Sequence, residues 1–232
     1  MGAISKGIDG ALALLKWPVA AASLVFLPGL VYSLLFVVRA IVASPSRCYP
    51  FLVGAAIYGA FWLLVIRRRH HLGFLATLEH EFTHALFAWA TLHRVIGFRA
   101  TLRSGGHIRY VGRGNWLIAT APYFFPTLSL AAIAIMNWLP GRDLTAAGVV
   151  LGLTVAYHAL SNWSETHRHQ SDLREAGLVF SILFLIAANA LVFGLLLSYA
   201  CGLRSLTAHL QHVGGPTIVF FRWLRRMGRR QS

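Results

Sequence analysis

Six long stretches of this chain carry almost no charge, and this pattern restricts the fold more than any other feature. About 20 apolar residues are enough for a helix to cross a bilayer. The chain of 232 residues is also 57% hydrophobic and only 12% charged, which is typical of an integral membrane protein. We therefore predict an all-α integral membrane protein with a bundle of about six transmembrane helices. The predicted spans are about Trp17–Val38, Tyr49–Ile66, Leu72–Leu92, Asn115–Leu139, Leu144–Leu160 and Ala176–Cys201.

The charge balance is strongly basic, with a net charge of +14. We attribute this charge to short basic loops that flank membrane spans and meet anionic headgroups, so the expected partner is the lipid bilayer and not nucleic acid. The length suits a single membrane domain over residues 1–232. Residues 204–232 form a basic tail in which arginines alternate with apolar residues, and this pattern predicts an amphipathic helix that anchors at the membrane surface.

One connection between spans has a different character. Residues 97–104 and 107–111 both alternate between apolar and polar side chains, and Gly105-Gly106 separates the two runs. This pattern predicts a small β-hairpin after the third span. The exposed edge of such a hairpin can bind an extended peptide as an additional strand.

The chain has two cysteines, Cys48 and Cys201. With six spans, they would lie on opposite faces of the membrane. We therefore expect that they do not pair.

The third apolar stretch contains the pentapeptide His80-Glu81-Phe82-Thr83-His84. Each ionisable group at such a depth costs roughly 2.5–3.5 kcal/mol on insertion scales, so these residues are functional candidates. On a helix, His80 and His84 lie one turn apart on one face, which suits two ligands of one metal ion. Glu81 lies beside them, where it can accept a proton from water. The pattern predicts a hydrolase with one zinc ion per chain.

A catalytic zinc ion usually has three protein ligands, and the sequence leaves the third one open. Two further spans after the hairpin bring the polar segment 161–175 back to the same membrane face. Asp172, just before the sixth span, can project inward there, although a carboxylate at a helix start is also favoured by the helix dipole. The candidates are Asp172, His167, His169, Glu165, His158 and His107.

Over residues 72–190 the chain resembles the site-2 protease family of intramembrane zinc metalloproteases, especially its short bacterial members. The resemblance rests on the pentapeptide, the hairpin, a fourth span from Asn115 that contains two prolines, and Ser171-Asp172 before an apolar span. It implies a metalloprotease-like core at 72–190, with Asp172 as the third ligand and Asn115 as a substrate-orienting residue. Leu173 follows Asp172, whereas the family commonly has glycine there.

The resemblance also implies an activity and a location. The activity is hydrolysis of a peptide bond in or near a transmembrane segment of a substrate protein. The location is the bacterial inner membrane.

Two other functions remain open from the residues. Several histidine clusters are also typical of membrane di-iron hydroxylases and desaturases, and this chain has histidines at His70-His71, His80/His84, His158 and His167/His169. Alternatively, the chain could be a non-catalytic membrane scaffold that retains a metal motif. No sequence feature predicts the oligomeric state.

Overall fold

The computed structural model describes residues 2–68, 74–101, 105–141, 143–166, 170–202 and 206–228. The chain is mostly helical and contains a small two-stranded antiparallel sheet, which confirms the predicted fold class. The elements are α1 (Gly2–Ala43), α2 (Tyr49–Leu64), α3 (Phe74–Ala90), β1 (Val95–Ala100), β2 (Gly106–Tyr110), α4 (Trp116–Thr120), α5 (Thr127–Trp138), α6 (Leu144–Glu165), α7 (Ser171–Ala176), α8 (Leu178–Ala200) and α9 (Leu206–Gly228).

Within the described residues, four helical segments are long and apolar enough to cross a membrane. They are α1, the segment Pro45–Leu64 that includes α2, α6 and α8. A fifth span results if the bent pair formed by α4 and α5 is counted as one. The helix that carries the pentapeptide, α3, has 17 residues and is not among these candidates.

The fourth apolar stretch is broken at its two prolines. A short 3₁₀ turn, Ala121–Tyr123, follows α4, and the axes of the two parts of this span differ by 75°. Proline has no backbone N–H, and its ring clashes with the preceding turn, so Pro122 and Pro126 do not allow one straight helix. The break leaves α4 as a single short helix at the level of the pentapeptide.

The hairpin packs against α3. Its register pairs Val95 with Tyr110 and Ala100 with Gly106, and both strands contact α3. At the turn, the Thr101 hydroxyl donates a hydrogen bond of 2.6 Å to the Gly105 carbonyl, and Gly105 has a φ of 72°, which glycine adopts without strain. Because an isolated two-stranded hairpin is only marginally stable, this packing on a helix stabilises it.

The chain divides into two compact units, and the first comprises Met1–Trp17 and Pro50–Ser181. Here α2 and α6 approach closely through glycines: a side chain on Gly54 would overlap the carbonyl of Val149, and one on Gly152 would overlap that of Phe51. Small residues allow this close approach between membrane helices. The aromatic rings of Tyr58 and Tyr157 meet edge to face, with 5.6 Å between their centroids, further along both helices.

The second unit comprises Pro18–Tyr49 and Ile182–Ser232. Its core contains Leu30 of α1, Ala187 and Ala190 of α8, and Val213 of α9. The basic residues at the end of α9 that the structure describes are exposed, as are the aromatic residues between them: Phe220, Phe221, Arg222, Trp223, Arg225 and Arg226. Arg229 and Arg230 lie outside the described residues.

The expectation that the two cysteines do not pair is wrong. Within the second unit, Cys48 and Cys201 form a disulfide, with their Cα atoms 4.8 Å apart. Two side chains that are bonded lie on the same face of a membrane, so the chain between them crosses the membrane an even number of times. The expectation rested on the six-span scheme, which places five spans between these cysteines and therefore puts them on opposite faces.

Candidate metal centre

The two histidines of the pentapeptide lie on one face of α3, as their spacing predicts. Beside this face, the Thr83 hydroxyl donates a hydrogen bond of 2.8 Å to the Glu79 carbonyl and lies 2.6 Å from Oγ1 of Thr127 of α5. Glu79 accepts a hydrogen bond of 3.3 Å from the Tyr157 hydroxyl. Glu79 is thus bound by Tyr157 of α6, whereas the described carboxylate hydrogen bond to the His80 imidazole comes from Glu165.

Each of these imidazoles has a hydrogen-bond acceptor at its Nδ1 atom. Nδ1 of His84 lies 2.8 Å from the backbone carbonyl of Ile118, and Nδ1 of His80 lies 3.0 Å from Oε2 of Glu165. A carbonyl or a carboxylate can only accept, so both Nδ1 atoms carry the proton. In the neutral imidazoles that a metal ion requires, the lone pairs therefore lie on the two Nε2 atoms.

The two Nε2 atoms converge with Asp172 of α7. They lie 3.2 Å apart, and Oδ2 of Asp172 is 3.5 Å from Nε2 of His80 and 3.4 Å from Nε2 of His84. A tetrahedral zinc ion with bonds of about 2.0–2.1 Å separates its ligand atoms by about 3.3–3.4 Å. Three electron-pair donors at these distances repel one another unless a proton or a metal cation lies between them, and their separations match those between zinc ligands.

Asp172 is held by neighbouring hydroxyls. The Tyr123 hydroxyl donates a hydrogen bond of 3.0 Å to Oδ2, and the Ser171 hydroxyl donates one of 3.3 Å to Oδ1. Burial acts to raise the pKa of the Asp172 carboxyl, but its contacts with His80, His84 and Tyr123 keep this pKa below its usual range. Asp172 is therefore a carboxylate, as a metal ligand must be.

Glu81 is buried and lines the same cavity as the three donors. The cavity has a volume of about 450 Å³. Gly106, the first residue of β2, packs directly on Glu81, since a Cβ atom there would lie 2.9 Å from Oε1 and closer still to Cγ. The hairpin thus limits the positions that the Glu81 side chain can adopt. The cavity walls include Thr77, Gly105, His107, Ile108, Tyr110, Ile118, Gln170 and Glu175.

The cavity also holds a phenol outside the membrane spans. Burial raises the pKa of Tyr110, and the nearby carboxylates of Glu175, Asp9 and Asp172 raise it further. Tyr110 is therefore protonated at neutral pH and has a hydroxyl proton to donate.

The structure brings together three of the predicted site residues, His80, His84 and Asp172, as a possible metal-binding group, and the described ranges contain one such group. Of the other candidates for the third ligand, Glu165 is bound to Nδ1 of His80, His107 lines the cavity, and His158 is buried. His167 and His169 lie outside the described residues, as do His70 and His71.

Asn115 caps the start of α4. Its side-chain oxygen accepts a hydrogen bond of 3.1 Å from the Ile118 N–H, and its amide nitrogen donates one of 2.9 Å to Asp9. The other oxygen of that carboxylate lies 3.2 Å from Nε2 of His93. Both ends of the Asn115 amide are therefore occupied, which leaves a role in substrate binding as a prediction.

Three groups that support the metal donors were not identified from the sequence. The polar segment 161–175 indicated Glu165, but as a ligand and not as the partner of His80. Neither Tyr123 nor the Ile118 carbonyl has a sequence signal, because tyrosine in an apolar stretch is common and every residue has a carbonyl. Both groups come from the proline-broken fourth stretch, since Ile118 lies just before the end of α4 and Tyr123 just after it.

A helical membrane fold with two histidines, an aspartate and a buried glutamate in one cavity defines the class of membrane-embedded metallohydrolases. The sequence pattern of the Peptidase M50B-like family matches residues 51–214. The chain therefore belongs to this family, which supports the predicted relation to site-2 proteases. It is an integral membrane protein of a zinc-dependent metalloprotease family. No curated protein and no solved structure was found to match the chain.

Proposed function

We propose that this protein is an intramembrane zinc endopeptidase that hydrolyses a peptide bond in or near a transmembrane segment of a substrate protein. The observation that carries the proposal is the meeting of Nε2 of His80, Nε2 of His84 and Oδ2 of Asp172 at 3.2–3.5 Å. Three lone pairs at this separation fit one zinc ion per chain. The family match supports a peptidase in particular.

His80, His84 and Asp172 would hold the zinc ion. When bound, zinc supplies a Lewis acid that polarises the scissile carbonyl and makes a nearby water molecule more acidic. Glu81 accepts the proton of the attacking water and then donates it to the leaving amine. Its position in the same cavity as the three donors supports this role.

We further propose that strand β2 holds the substrate in an extended conformation. A helical substrate hides its peptide bonds in intrahelical hydrogen bonds, so the reacting segment must unwind. Gly106, His107, Ile108 and Tyr110 of β2 line the cavity, and a strand edge offers backbone hydrogen bonds to an extended peptide. Asn115 remains a candidate for orienting the substrate, in which case it must exchange a present partner for the substrate.

Metal analysis distinguishes this proposal from the first alternative, a di-iron oxygenase. The described residues offer one group of three ligands, whereas two irons need more. The cleavage assay below, with its Glu81→Gln variant, distinguishes the second alternative, a scaffold that binds zinc without turnover. We place the protein in the inner membrane of a bacterium, on the resemblance to the short bacterial site-2 proteases.

The test uses the detergent-purified protein and a panel of internally quenched peptides with apolar, membrane-spanning sequences in mixed micelles. We expect cleavage of at least one peptide by the wild type, inhibition by a zinc chelator, and a loss of about 10²–10⁴-fold in the Glu81→Gln variant. That variant should retain its zinc. Undiminished cleavage by Glu81→Gln would remove Glu81 from the mechanism, and zinc binding without any cleavage would favour the scaffold.

A further inference from the structure

We propose that Glu165 is a positioning residue that fixes the His80 imidazole for metal binding. The proposal rests on the proposed zinc site. Oε2 of Glu165 lies 3.0 Å from Nδ1 of His80, on the side of the ring opposite to the Nε2 atom that faces Asp172 and His84. A carboxylate in this place selects the tautomer with a free Nε2, holds the ring plane and makes Nε2 more basic.

The location of Glu165 is costly for a residue without such a role. Glu165 is the last residue of α6, and a negative charge at a helix C-terminus is repelled by the helix dipole. Its side chain is 29% exposed, and that of His80 13%, so this hydrogen bond is partly shielded from water. The interaction with His80 offsets these costs, and it becomes stronger when a cation binds to Nε2.

The last turn of α6 also supports Asp172, through Tyr123. The Asn162 side chain donates a hydrogen bond of 2.6 Å to the Tyr123 carbonyl, and the Tyr123 hydroxyl binds Asp172. The Gln170 side chain donates a hydrogen bond of 2.9 Å to the Glu165 carbonyl. One helix end thus supports a histidine from α3 and an aspartate from α7. The third donor, His84, is held by a backbone carbonyl and needs no such residue.

The experiment measures the zinc affinity of the full chain in detergent by competition with a chromogenic chelator. We expect a 10–100-fold weaker affinity in Glu165→Ala and Glu165→Gln, with an unchanged melting temperature of the zinc-free protein. The matched control is Glu175→Gln, which removes the same charge near the cavity from a side chain that does not contact His80 in the described hydrogen bonds. It should change the affinity less than threefold.

Each outcome is decisive. An unchanged affinity in Glu165→Gln would overturn the positioning role. A loss as large as that of Asp172→Ala would also overturn it, because Glu165 would then be a ligand. If a lower melting temperature of the zinc-free protein accounted for the whole loss of zinc affinity, Glu165 would stabilise the fold and would not position His80. A wild type that binds zinc but cleaves nothing contradicts the proposed function alone, and a wild type without zinc affinity contradicts both.

Independently, we infer that α3 does not complete a membrane crossing and that both its ends connect to the same face. Complete crossings alternate in direction along a chain, but α2 and α3 run the same way along α6. Successive residues of α2 meet successive residues of α6, from Pro50 with Gly148 to Tyr58 with Tyr157.

Helix α3 follows the same course. The Leu75 carbonyl accepts a hydrogen bond from the Tyr157 hydroxyl, and His80 meets Glu165, two turns further along α6. Helix α3 therefore starts beside the middle of α6 and runs toward its end. The pentapeptide thus lies near the face at which α6 ends, where the polar segment can reach it.

A contact of the N-terminal segment supports the same topology. Asp9, near the start of α1, lies 3.2 Å from His93, which directly follows α3. The chain between them must cross the membrane an even number of times, and α1 and α2 supply two crossings. The crossings are then α1, α2, the α4–α5 pair, α6 and α8. The four that follow Cys48 bring Cys201 to the same face, as their disulfide requires.

The test introduces single cysteines and a membrane-impermeant maleimide in sealed vesicles of known orientation. The substitutions are Arg67→Cys after α2, Arg109→Cys in strand β2 of the hairpin, and Pro140→Cys between α5 and α6. The five-crossing topology predicts that Arg67→Cys and Arg109→Cys are labelled from one side and Pro140→Cys from the other. Arg113→Cys, three residues after β2 in the same connection, serves as a second position if Arg109→Cys fails to fold.

The six-span topology predicts a different grouping. There, Arg67→Cys shares its side with Pro140→Cys, and the hairpin lies opposite. Any result in which Arg67→Cys and the hairpin cysteine react from different sides would overturn the inference.

Discussion

The contact between Gly106 and Glu81 gives a sharp prediction for Gly106→Ala. The new Cβ would overlap Cγ of Glu81 and lie 2.9 Å from Oε1 and 2.8 Å from the Arg99 carbonyl oxygen. Ordinary contacts start near 3.4 Å, so either Glu81 or the strand must move by several tenths of an ångström or more. Inserting one carbon into packed surroundings costs typically about 1–3 kcal/mol.

The movement of Glu81 has a consequence for catalysis. A misplacement of about 1 Å at a reacting group can lower a rate about 10²-fold, so we expect Gly106→Ala to reduce kcat about 100-fold. The zinc content should not change, because the atoms nearest to the new Cβ belong to Glu81 and Arg99 and not to a metal donor. The assay compares peptide cleavage and zinc per chain in the purified variant and the wild type.

A matched control separates displacement of Glu81 from damage to the hairpin. Gly105 lies next to Gly106, and a Cβ atom there would meet no atom within 4 Å. Apart from glycine, asparagine is the residue that best tolerates the positive φ at this position. Gly105→Asn should therefore retain most of the activity. In the Glu81→Gln background, Gly106→Ala should cause little further loss, because the affected group is already inactive. Full activity in Gly106→Ala would refute the proposed link between the hairpin and Glu81.

Three further variants test other parts of the structure. Tyr123→Phe removes the hydrogen bond to Asp172, so zinc affinity should fall about 10–100-fold; an unchanged affinity by chelator competition would show that this hydrogen bond does not hold the ligand. Cys48→Ser removes the disulfide and should lower the free energy of unfolding by about 2–5 kcal/mol, seen as a lower melting temperature in detergent, whereas an unchanged value would argue against a stabilising disulfide. Gly54→Leu should disrupt the close contact of α2 with α6 and lower the melting temperature by more than Gly59→Leu, since Gly59 has open space around it; equal effects would contradict this packing.

The sequence predicted those features that depend on local patterns. Apolar length indicated the spans, and alternation around Gly105-Gly106 indicated the hairpin. The pentapeptide places its histidines one turn apart on any helix, so that part of the site follows from α-helical geometry alone. Asp172 required the family resemblance, because the helix dipole alone also favours a carboxylate at the start of a helix.

The remaining features depend on contacts between distant parts of the chain. Glu165 is 85 positions from His80, and no local pattern distinguishes a ligand from the partner of a ligand. The disulfide was mispredicted because the prediction counted the third apolar stretch as a crossing, which the proposed topology does not. Its apolar length was sufficient for a span, but the polar contacts of Glu79 and His80 with α6 determine where it lies.

The central claim is that His80, His84 and Asp172 hold one zinc ion. The most direct test is elemental analysis of the detergent-purified wild type and of Asp172→Ala, prepared without chelators. We predict about one zinc per chain in the wild type and a large loss in the variant. Equal zinc content in both proteins would contradict the assignment and transfer the third ligand to His167 or His169, and two irons per chain in the wild type would contradict the peptidase itself.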